Sequence, residues 1–247
     1  MSVNLILVTN PFVEAFTQSD LLGKSIFIAL FFLSAVSWII LLHKTWLTNK
    51  ARKNSSHFYT LFQLQKSNPL SIECDARTLS SYPNPFFDLY SILKKHTVDI
   101  LNKNRRFGQN PSGKIENASY LSQADIDYVD SYLTSAIAQQ IKRLDKNLFV
   151  LSTVVSLGPF LGLLGTVWGI LTTFSDMQTH TGSTSQLVLG GLSLALATTV
   201  LGLVAAIPAL IAYNYLKNAI YGFETEMEGF STEILSAVEM HYRKVDP

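Results

Sequence analysis

The chain has 247 residues, 48% of them hydrophobic and 15% charged, with a formal net charge of +1. A mean hydropathy of +0.24 is too apolar for an ordinary soluble domain and too polar for a chain made only of membrane helices, which indicates a few spans joined to a sizeable aqueous segment. The near-neutral charge excludes a global attraction to nucleic acid. The single Cys74 excludes an internal disulfide, and His43, His57, His96, His180 and His241 stand singly, without metal-ligand spacing.

In chain order, residues 1–23 form a tail carrying Glu14 and Asp20 and no cation before Lys24. Residues 24–43 predict the first transmembrane helix: Ser25 to Leu42 is free of charge, and about 18–20 residues match a hydrocarbon core of roughly 30 Å. Basic residues follow it rather than a small-x-small cleavage site, so it reads as a retained span. Residues 44–147 form an aqueous helical domain punctuated by Pro69, Pro83, Pro85 and Pro111. Within it, Phe86 to Leu101 fits one amphipathic helix and Asn102 to Gly113 reads as an exposed loop. Ser122-x-x-Asp125 is an N-cap signature. After it Ile126, Val129, Leu133, Ile137, Ile141, Leu144, Leu148 and Leu151 step by three or four residues. No Gly or Pro interrupts from Lys114 to Leu157, which predicts a single helix running straight into the second span.

The second span covers 148–174, a short loop 175–186, and the third span 187–215. The last segment, 216–247, predicts a C-terminal amphipathic helix with Phe223, Met227, Phe230, Ile234 and Val238 on one face. Such a stripe needs a partner surface, in the same subunit or in a neighbour. Lys44, Lys50, Arg52 and Lys53 follow the first span, Lys142, Arg143 and Lys146 precede the second, and Lys217, Arg243 and Lys244 follow the third. The loop between the second and third spans holds only Asp176. The positive-inside rule then puts the N-terminus in the periplasm and both 44–147 and the C-terminus in the cytoplasm. The expected fold is an all-α integral membrane protein, three transmembrane helices with long helices extending into the cytoplasm.

The second and third spans are built for close approach rather than for lipid. Pro159, Gly162, Thr166, Gly169 and Thr173 step along one face of the second, with Gly158 and Gly165 on its flank. Ala195, Thr199, Gly202, Ala206, Ala209 and Tyr213 step along the third, where Pro208 removes a backbone donor and is expected to bend the helix. Thr166 and Thr199 read either as hydroxyls bonded back to their own helix or as the lining of a narrow polar path. No Asp, Glu, Lys, Arg or His lies inside the apolar stretch of any span. A proton path needs a titratable group, so another polypeptide would have to supply it. No phosphate-binding loop, nucleophile–base pair or metal cluster is present, so no enzyme, cofactor or metal site is expected.

Residues 162–170, Gly-Leu-Leu-Gly-Thr-Val-Trp-Gly-Ile, and 202–209, Gly-Leu-Val-Ala-Ala-Ile-Pro-Ala, followed by Tyr213-Asn214, resemble the signatures of the MotA/TolQ/ExbB proton channel family. Ser37-Trp38-Ile39-Ile40-Leu41 is similar as well, and three spans match the TolQ/ExbB branch better than the four-span MotA branch. The resemblance implies a homo-oligomer of five copies around a pair of single-span TolR/ExbD-like helices that carry the missing aspartate. It implies an inner-membrane location and a proton-driven motion passed to a periplasmic transducer of the TolA/TonB kind, for envelope integrity or biopolymer import. The family threonines fall on Thr166 and Thr199. One departure stands out: the glutamate usual five residues before the third-span threonine is Leu194 here. The glutamate is then dispensable, or proton handling differs, or conduction has been lost. A non-conducting scaffold subunit of an envelope-spanning complex is the alternative. A solute transporter acting alone fits poorly with three spans and no inverted repeat.

Overall fold

The computed structural model describes residues 11–66, 68–72, 84–107, 120–179 and 184–243. Cys74, Pro83, Pro111, His180, Lys244 and residues 108–113 of the expected loop lie outside them. Six helices follow one another: α1 (Pro11–Gln18), α2 (Leu21–Leu64), α3 (Pro85–Phe107), α4 (Gln123–Asp145), α5 (Leu148–Thr179) and α6 (Thr184–Tyr242). The architecture is all-α, and α2, α5 and α6 are each long and apolar enough to cross a membrane. Among the described residues, strand-type pairing is limited to an isolated bridge between Leu121 and Arg243.

The chain divides into two compact units, Met1–His43 with Asn147–Leu216, and Lys44–Lys146 with Lys217–Pro247. In the first, Asp20 caps α2: its Oδ1 accepts the Gly23 N–H at 2.8 Å and its backbone carbonyl accepts the Lys24 N–H at 3.0 Å. The short α1 is held to α2 by Phe16, which meets the Phe27 ring edge-on at 5.8 Å, and by the buried Ala15.

The second unit is built around aromatic rings. Phe86 stacks on Phe230 at 4.4 Å, Phe62 meets Phe230 edge-on at 5.6 Å, and Phe58 lies against Tyr90 at 5.6 Å. Offset-stacked and edge-to-face pairs at these separations contribute beyond their buried area. Phe223, Met227, Phe230, Ile234 and Val238, the stripe on the last part of α6, are all buried. Their partner surface is therefore within the same chain. Asn84 caps α3, with the Phe87 N–H on its Oδ1 at 3.3 Å, and Pro85 occupies the first helical position, where a missing N–H costs nothing. α3 continues to Phe107, six residues beyond the expected end. Asn102 to Phe107 are thus helical rather than loop; they carry Lys103, Arg105 and Arg106 in the last turns, where the helix dipole favours cations.

At the start of α4 a full capping box forms. The Asp125 N–H donates to Ser122 Oγ at 3.2 Å and the Ser122 N–H donates to Asp125 Oδ2 at 2.9 Å. Burial works against the Asp125 carboxylate, but these bonds and one from Asn104 outweigh it and hold its pKa below the usual range. Ile126, Val129, Leu133, Ile137 and Leu144 are buried as the spacing predicts. Gln140 is buried too, because its Nε2 donates to Asp88 Oδ2 on α3 at 2.8 Å.

The single helix expected through 122–157 is interrupted. α4 stops at Asp145, and Asn147 adopts φ 73° before α5 begins at Leu148. Asparagine is among the few residues besides glycine that take the left-handed conformation at modest cost, so a chain with no Gly or Pro can still end a helix there. The Lys44 ammonium, 5% exposed, donates to the Leu144 carbonyl at 2.8 Å. It satisfies one of the acceptors that the end of α4 leaves open and places a cation where the dipole is negative. Replacing Asn147 with Gly is expected to leave thermal stability in detergent within about 0.5 kcal/mol. Asn147→Val is expected to lower it by about 1–2 kcal/mol, since a β-branched residue pays the left-handed strain in full.

Burial raises the Asp88 pKa, and the hydrogen bond from Gln140 and the charge of Arg143 only partly oppose that. A carboxyl whose folded pKa is raised contributes most stability when protonated. That contribution is lost as pH climbs from the unfolded pKa through the folded one. Asp88→Asn, which keeps an acceptor for Gln140, is therefore expected to gain stability relative to the unaltered protein between acid and neutral pH, and to show no gain below the unfolded carboxylate pKa. Denaturation at a series of pH values measures the difference.

Candidate functional site

α5 and α6 are joined by a seam in which backbone meets backbone. A Cβ placed on Gly202 would come within 2.6 Å of the Gly158 carbonyl oxygen and 3.2 Å of the Gly162 Cα. One placed on Gly158 would lie 3.0 Å from the Gly202 carbonyl oxygen and 3.2 Å from the Ala206 Cβ. Further along, Gly162 faces the Thr198 carbonyl oxygen and the Thr199 Cα at 3.1 Å each, Gly165 faces the Thr198 side chain, and Gly169 faces the Ala195 Cβ and the Gly191 carbonyl oxygen at 3.1 Å each. Each glycine costs roughly 1 kcal/mol of helix propensity relative to alanine. In lipid, where no hydrophobic force drives helices together, close van der Waals contact and interhelical polar bonds must offset that cost.

The buried line on α5 is Leu151, Val154, Gly158, Gly162, Gly165, Gly169 and Thr173. On α6 it is Ala195, Thr198, Gly202, Ala205, Ala206, Ala209 and Ala212. Of the residues singled out from sequence, Gly162, Gly169, Thr173, Ala195, Gly202 and Ala206 lie in this seam. Pro159, Thr166, Thr199, Pro208 and Tyr213 are partly exposed and lie at its edge or outside it. Most of the face expected from the spacing, Ala209 included, is buried; Pro159, Thr166, Thr199 and Tyr213 are the positions at its edge, and Gly158 and Gly165 are central rather than flanking. Thr198, 0% exposed, belongs to the seam more fully than Thr199. The helix continues through Pro208.

The hydroxyls divide by what they bond. Thr199 Oγ1 donates across the seam to the Gly162 carbonyl at 3.2 Å. Thr198 donates to the Ala195 carbonyl at 2.9 Å and Thr173 to the Gly169 carbonyl at 2.6 Å, each within its own helix. Thr166 Oγ1 donates to the Leu163 carbonyl at 2.7 Å and stays outside the seam. Ser152, Thr153 and Ser156 are exposed nearer the start of α5. Thr153 and Ser156 bond back to the Phe149 and Ser152 carbonyls at 2.9 and 3.3 Å. Ser152, Ser156, Pro159, Leu163 and Thr166 step by four, three, four and three residues, so one helical face carries exposed Ser152, Ser156 and Leu163 and partly exposed Pro159 and Thr166. Sequence reasoning missed the two serines, although the four- and three-residue spacing back from Pro159 points to them.

A hydroxyl donates and accepts hydrogen bonds but does not ionise near neutral pH. The face can therefore solvate a proton or hydrated ion and cannot store its charge. A separate cleft of about 480 Å³ in the second unit is lined by Arg52, Tyr59, Phe86, Glu226, Phe230 and Glu233. Its charges are engaged, Arg52 with Glu226 and Lys66 with Glu233. Burial opposes ionisation of Glu233, but hydrogen bonds from Lys66, Gln63 and Tyr59 prevail and lower its pKa. No nucleophile–base pair lines the cleft.

A glycine-seamed hairpin of two apolar helices, joined to a third membrane-length helix, is the architecture of a helical membrane protein. Residues 105–229 match the profile of the MotA/TolQ/ExbB proton channel family, and the chain belongs to that family. It is 27% identical to the Tol-Pal system protein TolQ of Haemophilus influenzae over 234 residues, 90% of this chain and 91% of that one. It is 40% identical to the biopolymer transport protein ExbB of Aquifex aeolicus over 102 residues, 41% and 69% of the two chains. With ExbB of Helicobacter pylori it shares 52% identity over 73 residues, 30% and 50% of the two.

Gly202→Ala is expected to lower the thermal stability of the detergent-solubilised protein by about 2 kcal/mol or more, because the obstructing atom is a backbone oxygen that cannot rotate away. Gly222 and Gly229 have nothing within 4 Å of an added Cβ. Alanine at either is expected to gain about 0.5–1 kcal/mol in the same assay.

Proposed function

We propose that this protein is the proton-channel and stator subunit of an inner-membrane motor that uses the proton motive force to energise a periplasmic transducer of the TolA/TonB type. The family and the TolQ and ExbB relatives support an energy-transduction subunit. The observation that carries the finer reading is the uncovered hydroxyl face of α5. Ser152 and Ser156 are exposed and Thr166 is partly exposed on a helix long and apolar enough to cross a membrane. Small and hydroxylated residues on a span suit close contact with another helix, and on this reading further copies of the chain enclose this face. Five copies are what the family resemblance implies.

The charge comes from elsewhere. No Asp, Glu, Lys, Arg or His lies in the apolar stretches of 24–43, 148–174 or 187–215 beyond the flanking Lys24 and His43. A single-span TolR/ExbD-like partner supplies the aspartate, and Thr166 and Thr199 of the surrounding copies solvate the proton as it reaches and leaves that group. Neutralising the acid alters which helical face it prefers, and the partner helices and the surrounding ring turn relative to each other. The distribution of Lys and Arg supports a periplasmic N-terminus, cytoplasmic 44–147 and a cytoplasmic C-terminus. Leu194 at the usual family glutamate supports a second reading, a non-conducting scaffold in an envelope-spanning complex.

Proton flux into vesicles holding the protein and its partner separates the two. Thr166→Val and Thr199→Val are expected to leave insertion and assembly intact and to cut flux at least tenfold, with Thr166→Ser retaining it. Wild-type flux from both valine variants would sink the conducting role. Envelope output indifferent to a protonophore would favour the scaffold.

A further inference from the structure

We propose that Asp20 and Trp168 form a latch that sets the rotational position of α5 and so decides which of its faces is turned to the proton path. The inference rests on the channel reading above. Asp20 uses both carboxylate oxygens: Oδ1 accepts the Gly23 N–H at 2.8 Å, capping α2, and Oδ2 accepts the Trp168 indole Nε1–H at 2.8 Å. Trp168 lies in the glycine-rich part of α5, six residues before the apolar stretch ends at Phe174, or about 9 Å along the helix. A carboxylate at such a level is costly unless its oxygens are bonded. Here one group satisfies a helix end and fixes a neighbouring helix at once.

Helical geometry gives the latch its effect. Residues two apart lie about 200° round a helix, so Thr166 and Ile170, two before and two after Trp168, share the face opposite it. Between the two directions lies the seam line of Gly162, Gly165 and Gly169, turned to α6. The glycine contacts and the Thr199–Gly162 bond hold α5 on the α6 side, and a purely apolar contact on the Trp168 side would add no resistance to rotation there. A directional, charge-assisted hydrogen bond does. With the indole held at the start of α2, the Thr166 face points away from α2.

A carboxylate meets the two donors with two separate oxygens, one for each. Serine or asparagine at position 20 still caps α2 but offers no second acceptor to the indole, so these changes separate the latch from the cap. The test uses the full-length protein with its partner in vesicles, in a Cys74→Ser background. Single cysteines at Ile170, on the Thr166 face, and at Leu171, about 100° away, are probed with a membrane-impermeant thiol reagent. In the otherwise unaltered chain Ile170→Cys is expected to label at least tenfold faster than Leu171→Cys. Adding Asp20→Ser, Asp20→Asn or Trp168→Phe is expected to bring the two rates within about threefold. Without the cysteine probes, the same latch changes are expected to lower proton flux about tenfold, and the Asp20→Ser, Trp168→Phe pair to be no worse than either alone. Emission from Trp168, isolated by Trp38→Phe and Trp46→Phe, should shift on Asp20→Ser in protein that still assembles.

Equal labelling of the two cysteines in the unaltered chain would mean that this face meets no water. The channel reading would then fall, and the latch with it. Preferential labelling of Ile170→Cys that survives Asp20→Ser and Trp168→Phe, with flux unchanged, would overturn the latch alone.

Discussion

In the membrane-length hairpin two main chains meet at Gly158 and Gly202, leaving no room for a side chain, and the packing of α5 on α6 depends on that contact. Once the carbonyl oxygen of one helix sits where the side chain of the other would begin, the neighbouring positions must also be small. Ala195, Thr198 and Ala206 answer that demand on α6, as Gly162, Gly165 and Gly169 do on α5. The arrangement makes sense only in a solvent that gives no hydrophobic reward for pairing, where contact area and a few polar bonds must suffice. Large residues such as Phe160, Leu164, Val167 and Leu171 are left exposed on the outside, as lipid permits.

That seam also sorts the hydroxyls. Thr173 and Thr198 are enclosed and satisfied within their own helices, and Thr199 bridges the two by reaching the Gly162 carbonyl. Thr166, Ser156 and Ser152 remain outside, with their donors turned back onto the α5 backbone where a bond is recorded. A hydroxyl bonded in this way costs little to expose to lipid during assembly, yet keeps acceptor capacity for water or a proton later.

The second unit is held by different physics. Its core is a cluster of aromatic rings drawn from α2, α3 and the last part of α6, bordered by exposed ion pairs such as Arg52–Glu226. Surface pairs of this kind add little stability, so ring packing and helix caps carry the unit. Lys44, buried and bonded to the end of α4, is the exception: its charge is spent on a backbone carbonyl rather than on a carboxylate.

Three apolar stretches of membrane length, the capping box at Ser122 and Asp125, the stripe from Phe223 to Val238 and the small-residue character of α5 and α6 were all legible in the amino-acid sequence. Each depends on local composition or on a fixed helical period, and both are written directly in residue order. The family was legible too, through residues 162–170 and 202–209. Tertiary structure alone decided which way each small-residue face turned. Glycine and alanine occupy several adjacent faces of the same helices, so spacing could not choose between Thr198 and Thr199 or set Gly165 ahead of Thr166. It also decided the break at Asn147, where a residue compatible with helix takes φ 73° and the Lys44 ammonium meets the Leu144 carbonyl at the end of α4. The bond between Asp20 and Trp168 joins positions 148 residues apart, and no periodicity reaches across that distance.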